Sequence, residues 1–127
     1  MLHLTNSDDT IILNLLTSGS IHYTVGYTDF KLTEPGFPKS FKGIITASGD
    51  TSIINGHNEG TRLIQYITLF NNSSDAIVKV IHKQNTTTVT VTKLSIGPQQ
   101  TIILNNSYLV NNPPSTLEED VWDQIDW

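Results

Sequence analysis

Short apolar runs recur through the first 104 residues of the chain, and polar turn residues separate them. Within one run, Ile21, Tyr23 and Val25 alternate with other positions, which is typical of a strand with one buried face. About eight such strands predict an all-β fold, and we expect a β-sandwich of the jelly-roll or immunoglobulin-like kind. The predicted strands are 10–16, 21–27, 41–47, 51–54, 61–70, 76–83, 86–94 and 100–104.

The run 61–70 is apolar on both of its faces. A strand of this kind is usually central in its sheet and covered on both sides, so we expect 61–70 to be a central, doubly covered strand. One predicted face carries Leu63, Ile67 and Leu69, and the other carries Ile64, Tyr66 and Phe70.

Turn-forming residues predict how several strands are joined. Ser48-Gly49-Asp50 predicts a hairpin between 41–47 and 51–54, and Gln84-Asn85 predicts a second hairpin between 76–83 and 86–94. Residues 28–40 hold two prolines and a glycine, and we expect them to form a loop.

The pattern changes after Asn112, where two prolines break the chain. Leu117, Val121 and Ile125 follow at a spacing of four residues, which predicts one apolar face of a short helix. A helix of about twelve residues is marginally stable alone in water, so this segment needs a surface to cover its apolar side. The sequence therefore predicts a β-sandwich domain at 1–112 and a C-terminal tail at 113–127.

The distribution of charged residues also distinguishes the domain at 1–112 from the tail at 113–127. Five of the twelve acidic residues lie in 113–127, which has no Lys or Arg, and the other seven acids equal the seven Lys and Arg of 1–112. The neutral domain offers no basic field for nucleic acid. No apolar run approaches the roughly 20 residues of a membrane-spanning helix, and the N-terminus does not resemble a signal peptide. We expect no nucleic-acid or membrane partner.

The acidic tail holds both tryptophans of the chain, and two hypotheses explain it. In the first, the tail folds back and closes its own sandwich, with Trp122 filling a gap. In the second, it docks on a neighbouring molecule, because Trp is a frequent interface anchor. The predicted partner-binding residues are Leu117, Val121, Trp122, Ile125 and Trp127.

The domain has no sequence motif for catalysis, and we expect neither an enzyme nor a cofactor, metal or small-molecule ligand. A metal site or a hydrolase requires folding to gather His22, His57 or His82 with Asp or Glu. His3 is the fourth histidine, and none of the four forms a local pair at ligand spacing.

A glycan-binding module is a further alternative. It requires an exposed aromatic platform formed by Tyr23, Tyr27 and Phe30 near His57 and Asn58. Core packing is the simpler interpretation of these rings.

The domain resembles small tailed-bacteriophage virion proteins of about this length. The features that this chain shares with them are the opening strand, an aromatic second strand that ends in Asp, a strand that begins near an Arg and ends in Asn, a Val-rich hairpin, and a closing strand of the pattern apolar–Pro–apolar. The Gly that usually follows this proline in the family is Gln99 here. The segments that carry the resemblance are 1–5, 9–11, 21–29, 61–71, 77–81 and 89–104.

The resemblance implies a structural protein of the head surface, neck or tail, made in the host cytoplasm and located in the virion. It implies partners among other virion proteins and copies of itself, and a homo-oligomer. It transfers no catalytic residue. A receptor- or glycan-binding module of a phage tail remains the alternative function.

Overall fold

A computed structural model describes residues 2–31, 36–56 and 59–105 of the chain. These residues form strands and connections, and no helix occurs among them. The strands are β1 (Leu2–Leu4), β2 (Thr10–Leu15), β3 (Ile21–Lys31), β4 (Pro38–Ile45), β5 (Gly49–Asn55), β6 (Gly60–Asn71), β7 (Ala76–Gln84), β8 (Thr87–Ile96) and β9 (Thr101–Leu104).

The strands form two antiparallel sheets that pack face to face. Sheet A has the order β4-β3-β6, and both β1 and β9 pair with the other edge of β6. Sheet B has the order β5-β2-β7-β8. The prediction of an all-β protein is confirmed, and the packed pair of sheets is the architecture of a β-sandwich.

The core lies between the two sheets and is built almost entirely from aliphatic side chains. Sheet A contributes residues such as Val25, Ile67 and Leu69, and sheet B contributes residues such as Leu13 and Val80, all of them fully buried. Each alternates along its strand with residues on the opposite face, because successive side chains of a strand point to opposite sides of the sheet. The described core reaches from Leu2 to Leu104 in sequence.

A β-bulge in β6 overturns part of the predicted face assignment. Gly26 pairs with Tyr66 and Tyr27 pairs with Ile64, so Gln65 is the extra residue. One extra residue reverses the alternation. Ile64 is therefore buried with Ile67 and Leu69, whereas the partly buried Leu63 lies on the opposite face. β6 is central in sheet A as predicted, but its outer face is not fully covered, since Tyr66 is exposed.

Two predicted connections are also wrong. Residues 28–31 continue β3 instead of forming a loop, because they pair with 60–63 of β6, and β4 begins at Pro38. Ser48-Gly49-Asp50 does not close a hairpin, because β4 belongs to sheet A and β5 pairs with β2 in sheet B. The segment carries the chain from one sheet to the other. The hairpin at Gln84-Asn85 is present between β7 and β8, with Asn85 at φ 56°.

Candidate functional site

The two sheets differ in how much apolar surface their outer sides expose. Among the described residues, eight large hydrophobic side chains are exposed, and five of them lie on strands of sheet A, whereas Leu16 and Val89 are associated with sheet B. Phe37 directly precedes β4 and is also exposed. The five exposed residues on sheet A are Phe30, Phe41, Ile44, Tyr66 and Ile103.

The surface of sheet A that points away from sheet B is named here the apolar face. It is defined by the outward residues Phe30, Ile44, Tyr66, Phe70 and Ile103. Phe41 is excluded because it pairs with Val25, whose side chain points into the core. Ile44 and Ile103 have 58% and 59% of their surface exposed, which is high for isoleucines on regular strands.

Strand register places the residues of the apolar face in rows across the sheet. Ile44 of β4, His22 of β3 and Phe70 of β6 are neighbours in one row, and the rings of His22 and Phe70 meet edge to face with centroids 5.9 Å apart. In the next row Thr68 separates Thr24 from Ile103. The apolar side chains of this face therefore lie on several strands of sheet A, with polar side chains such as Thr24 and Thr68 between some of them.

A glycine shapes the middle of the apolar face. The ring of Tyr66 lies against Gly26, where any Cβ would overlap the ring atoms. Gly26 is buried beneath it, whereas Tyr66 keeps 37% of its surface exposed. The aromatic ring lies close to the sheet and presents an apolar surface to solvent.

The charges on this face have a single sign. Lys42 points outward from β4 beside Thr24. No Asp or Glu occurs among the outward positions of the described strands of sheet A, because Asp29 points to the inner side and pairs with Arg62. The apolar face can accept an acidic partner without carboxylate repulsion.

The second candidate is a charged cleft at one end of the sandwich. It has a volume of about 510 Å³ and is lined by Ser7, Asp29, Lys31, Lys39, Gly56, Glu59 and Arg62. The Nε and Nη2 atoms of Arg62 donate to the two carboxylate oxygens of Asp29 at 2.7 and 3.1 Å, and its Nη1 donates to the carbonyl oxygen of Asn55 at 2.7 Å. The guanidinium also lies 4.6 Å from the ring centroid of Tyr27.

These contacts give Arg62 a structural role in the cleft. Its hydrogen-bonding groups are directed to Asp29 and Asn55, and Lys31 lies 3.8 Å from Glu59. Arg62 and Lys31 thus pair with the two carboxylates of the cleft, Lys39 adds a third cation to its lining, and the Arg62–Asp29 pair joins β6 to β3. The paired side chains that line the cleft therefore stabilise this end of the sandwich.

The outer face of sheet B is polar and basic. Lys79 of β7 and Lys93 of β8 are directly opposite in register, and Lys83 follows on the same face beside Thr88. Isoleucines between these lysines are only partly buried. Threonine and lysine side chains dominate this face, which is typical of a solvated sheet surface.

The structure separates the residues proposed for glycan binding. Tyr27 is buried in the core and Tyr23 packs against it, whereas Phe30 points from the opposite face of β3. His57 and Asn58 lie outside the described residues. The three rings therefore do not form a platform, and core packing is the correct interpretation of Tyr23 and Tyr27.

The histidines are also apart in the fold. His22 lies on the outer side of sheet A, and His82 lies on the inner side of sheet B, paired in register with Ile11. Within 2–31, 36–56 and 59–105, no three His, Cys, Asp or Glu side chains are grouped so that they could hold a metal ion. The alternative hypothesis of a metal site receives no support from the described histidines.

The predicted partner-binding residues Leu117, Val121, Trp122, Ile125 and Trp127 lie outside the described residues. The sequence prediction also missed Ile44 and Ile103. The sequence feature that could have indicated them is a run of successive apolar residues, Ile44-Ile45 in β4 and Ile102-Ile103-Leu104 in β9. Because successive side chains of a strand point to opposite sides of the sheet, at least one residue of each run faces outward.

Comparison of the chain with protein-family models, with curated proteins and with solved structures finds no match. Across the part of the chain that the structure describes, no helix is long and apolar enough to cross a membrane.

Proposed function

We propose that this protein is a non-enzymatic structural component of a tailed-phage virion, on the head surface, at the neck or on the tail. It assembles by self-association and by docking of its C-terminal tail. The single observation that supports this proposal best is the apolar face, because apolar surface concentrated on one side of a monomer marks an interaction site.

The position of the exposed side chains favours association over ligand binding. Ile44, Tyr66 and Ile103 belong to three strands of one sheet and point to the same side of it. A broad sheet surface suits another protein surface, whereas small ligands take concave sites. Homo-oligomers with closed symmetry are the common outcome when one patch occurs on every copy.

The backbone at Gln99 agrees with the phage resemblance. Gln99 has φ 60°, in the left-handed region that favours glycine, and the resembling family usually has Gly at this position. The amide of Gln99 donates to the carbonyl oxygen of Asn71 at 2.8 Å, which joins the turn before β9 to the end of β6. The same turn geometry suits the glycine of the family.

Within this proposal the sandwich is immunoglobulin-like rather than a jelly roll. The pairing of β2 with β5 in one sheet, and of β3 with β6 and β9 in the other, matches the central pairings of the immunoglobulin topology. The β7–β8 hairpin is then an addition beside β2, at the place of the first strand of that topology.

Mass spectrometry of purified virions tests the location. In particles from a phage that encodes this chain, we expect the protein in many copies per particle. Its absence from purified particles, with the protein present in the infected-cell lysate, would contradict a structural role. A virion protein present at comparable copy number serves as the internal standard.

Removal of Pro113–Trp127 tests the role of the tail. We expect residues 1–112 to keep the fold, because the described core ends at Leu104, and to lose incorporation into particles. Normal incorporation of the truncated chain would exclude tail docking. Circular dichroism checks the fold, and loss of the β-sheet spectrum would assign the tail to the core of its own sandwich.

A further inference from the structure

We propose that the apolar face of one copy binds segment 115–127 from a second copy, an assignment that rests on the proposed self-association. The segment carries Leu117, Val121, Trp122, Ile125 and Trp127, and the face carries Ile44, Tyr66, Phe70 and Ile103. The contact is heterologous, because each copy offers one face and one segment, and it can close into a ring.

Charge complementarity supports this pairing. Segment 115–127 has five acidic residues and no Lys or Arg, whereas the apolar face has Lys42 and no carboxylate among its described strand positions. Apolar side chains of the segment can then lie over Ile44 and Ile103 while its acids stay at the polar rim. This is the usual arrangement of a protein interface, with an apolar centre and a polar border.

The place where the described chain ends supports a contact between copies. Leu104 of β9 pairs with Ile67, and Leu2 of β1 already pairs with Ile64 on the same edge of β6. β1 and β9 therefore share the edge of β6 on the side away from β4, and the described residues end at this margin of sheet A, from which a neighbouring copy can be reached.

The length of the connection permits the same contact. Residues 106–114 connect Asn105 to the segment. Nine residues span up to about 30 Å, whereas sheet A is four strands across, or about 15 Å at the usual strand spacing. The connection is long enough to carry segment 115–127 past the edge of its own sheet to the apolar face of a neighbour.

The two tryptophans make the contact measurable in the full-length protein, because both lie in the segment and none lies elsewhere. Light scattering gives the mass, and tryptophan emission reports whether Trp122 and Trp127 are shielded. We expect multimers at high concentration, with emission shifting to the blue as the multimers form.

Paired substitutions on the face test the surface itself. Ile44→Asp with Ile103→Asp is expected to weaken association at least about tenfold and to leave the emission red-shifted, because a lost apolar anchor and a new charge both oppose binding. The matched control is Leu16→Asp with Val89→Asp, two exposed apolar residues associated with sheet B, and we expect it to associate normally. Circular dichroism checks that each variant is folded.

A mixing experiment tests that the face and the segment are the two halves of one contact. Val121→Asp with Ile125→Asp removes the segment's apolar side while the face stays intact. This variant and the face variant are each expected to be monomeric, whereas their mixture forms a one-to-one complex through the single remaining contact. No complex in the mixture would overturn the assignment.

The remaining outcomes separate this inference from the proposed self-association. Multimers that the face variant does not weaken would overturn the assigned surface and leave self-association standing. A monomer whose tryptophans are shielded at every concentration would show that segment 115–127 docks on its own sandwich. This result would overturn the proposal that the segment comes from a second copy. A monomer with exposed tryptophans would overturn both the proposed self-association and the proposed binding of segment 115–127 to the apolar face. Mass spectrometry of purified virions would still decide whether the protein is located in the virion.

Discussion

The ring of Tyr66 lies against Gly26 on the outer side of sheet A, and the ring of Tyr23 lies against Gly43 on the inner side. Each glycine belongs to the strand beside the tyrosine, and a Cβ at either position would overlap ring atoms. The two pairs differ in what surrounds the ring, because Tyr66 borders solvent and Tyr23 packs against the core.

This difference predicts unequal effects of one added methyl group. Gly26→Ala is expected to lower the free energy of unfolding by less than about 1 kcal/mol, because Tyr66 can rotate into solvent. Gly43→Ala is expected to cost about 1–3 kcal/mol, as overpacking in a core does. Urea denaturation of the two variants measures both values. Equal losses would show that Tyr66 is held as firmly as Tyr23.

The paired charges at the end of the sandwich predict a second effect on stability. The side chains of Arg62 and Asp29 are only 16% and 9% exposed. Removing one partner leaves the other charge poorly solvated, so Arg62→Met is expected to destabilise the fold by about 2–4 kcal/mol. The double variant Arg62→Met with Asp29→Leu is expected to recover part of this loss, because no isolated charge remains.

Urea denaturation of the two single variants and the double variant gives the coupling energy between Arg62 and Asp29. Lys31→Met is a suitable control, because the Lys31–Glu59 pair is longer and Glu59 is 79% exposed, so its loss is expected to cost less than about 1 kcal/mol. Additive effects of the Arg62 and Asp29 substitutions would contradict a coupled pair.

The sequence predicted the strands well where the pattern was regular and failed where pairing decided the outcome. Alternation along β3 correctly placed Ile21, Tyr23 and Val25 on one face. The bulge at Gln65 was not predictable, because nothing in a local pattern shows that one residue is left unpaired with a distant strand. For the same reason the turn at Gly49 looked like a hairpin although its two flanking strands belong to different sheets.

The apolar face was missed for a related reason. Two apolar residues in succession, as at Ile44-Ile45, are ambiguous until the neighbouring strands are known. Pairing with Ile21 and His22 shows that Ile45 is buried and that Ile44 faces outward. Which side of a sheet stays uncovered depends on tertiary packing, so the sequence revealed the apolar tail but not the surface proposed to bind it.

The left-handed backbone of Gln99 predicts a stabilising substitution. A non-glycine residue in this region carries a steric cost of about 1–2 kcal/mol, and Gln99 has φ 60°. Gln99→Gly is expected to raise the free energy of unfolding by up to about 1 kcal/mol, because greater freedom in the unfolded chain offsets part of the relief. Thermal unfolding measures the change.

A matched control for Gln99 is available in the following residue. The side chain of Gln100 accepts a hydrogen bond from the amide of Gly97 at 2.7 Å, so Gln100→Gly is expected to destabilise the turn. Among the described residues, the Gln99 side chain donates only to exposed Asn72, at 3.3 Å. A loss of stability in Gln99→Gly would show that this side-chain contact outweighs the backbone cost.

The environment of His82 predicts how stability depends on pH. Burial lowers the pKa of His82 below its ordinary value of 6.5, and the nearby Asp9 carboxylate partly opposes this shift. Its Nε2 atom is buried and has no hydrogen-bond partner among the described residues. The folded protein therefore binds a proton at His82 less readily than the unfolded chain does.

The sign of the pH effect follows from this difference in proton binding. Below about pH 6.5 the unfolded chain takes up a proton that folded His82 resists, so the contribution of His82 to stability is complete above that pH and is lost as the pH falls toward the folded pKa. Chemical denaturation between pH 5 and 8 is expected to show stability falling on the acid side. His82→Gln is expected to flatten this dependence, whereas His22→Gln on the apolar face serves as the control. An unchanged pH profile in His82→Gln would mean that another group causes the acid-side loss.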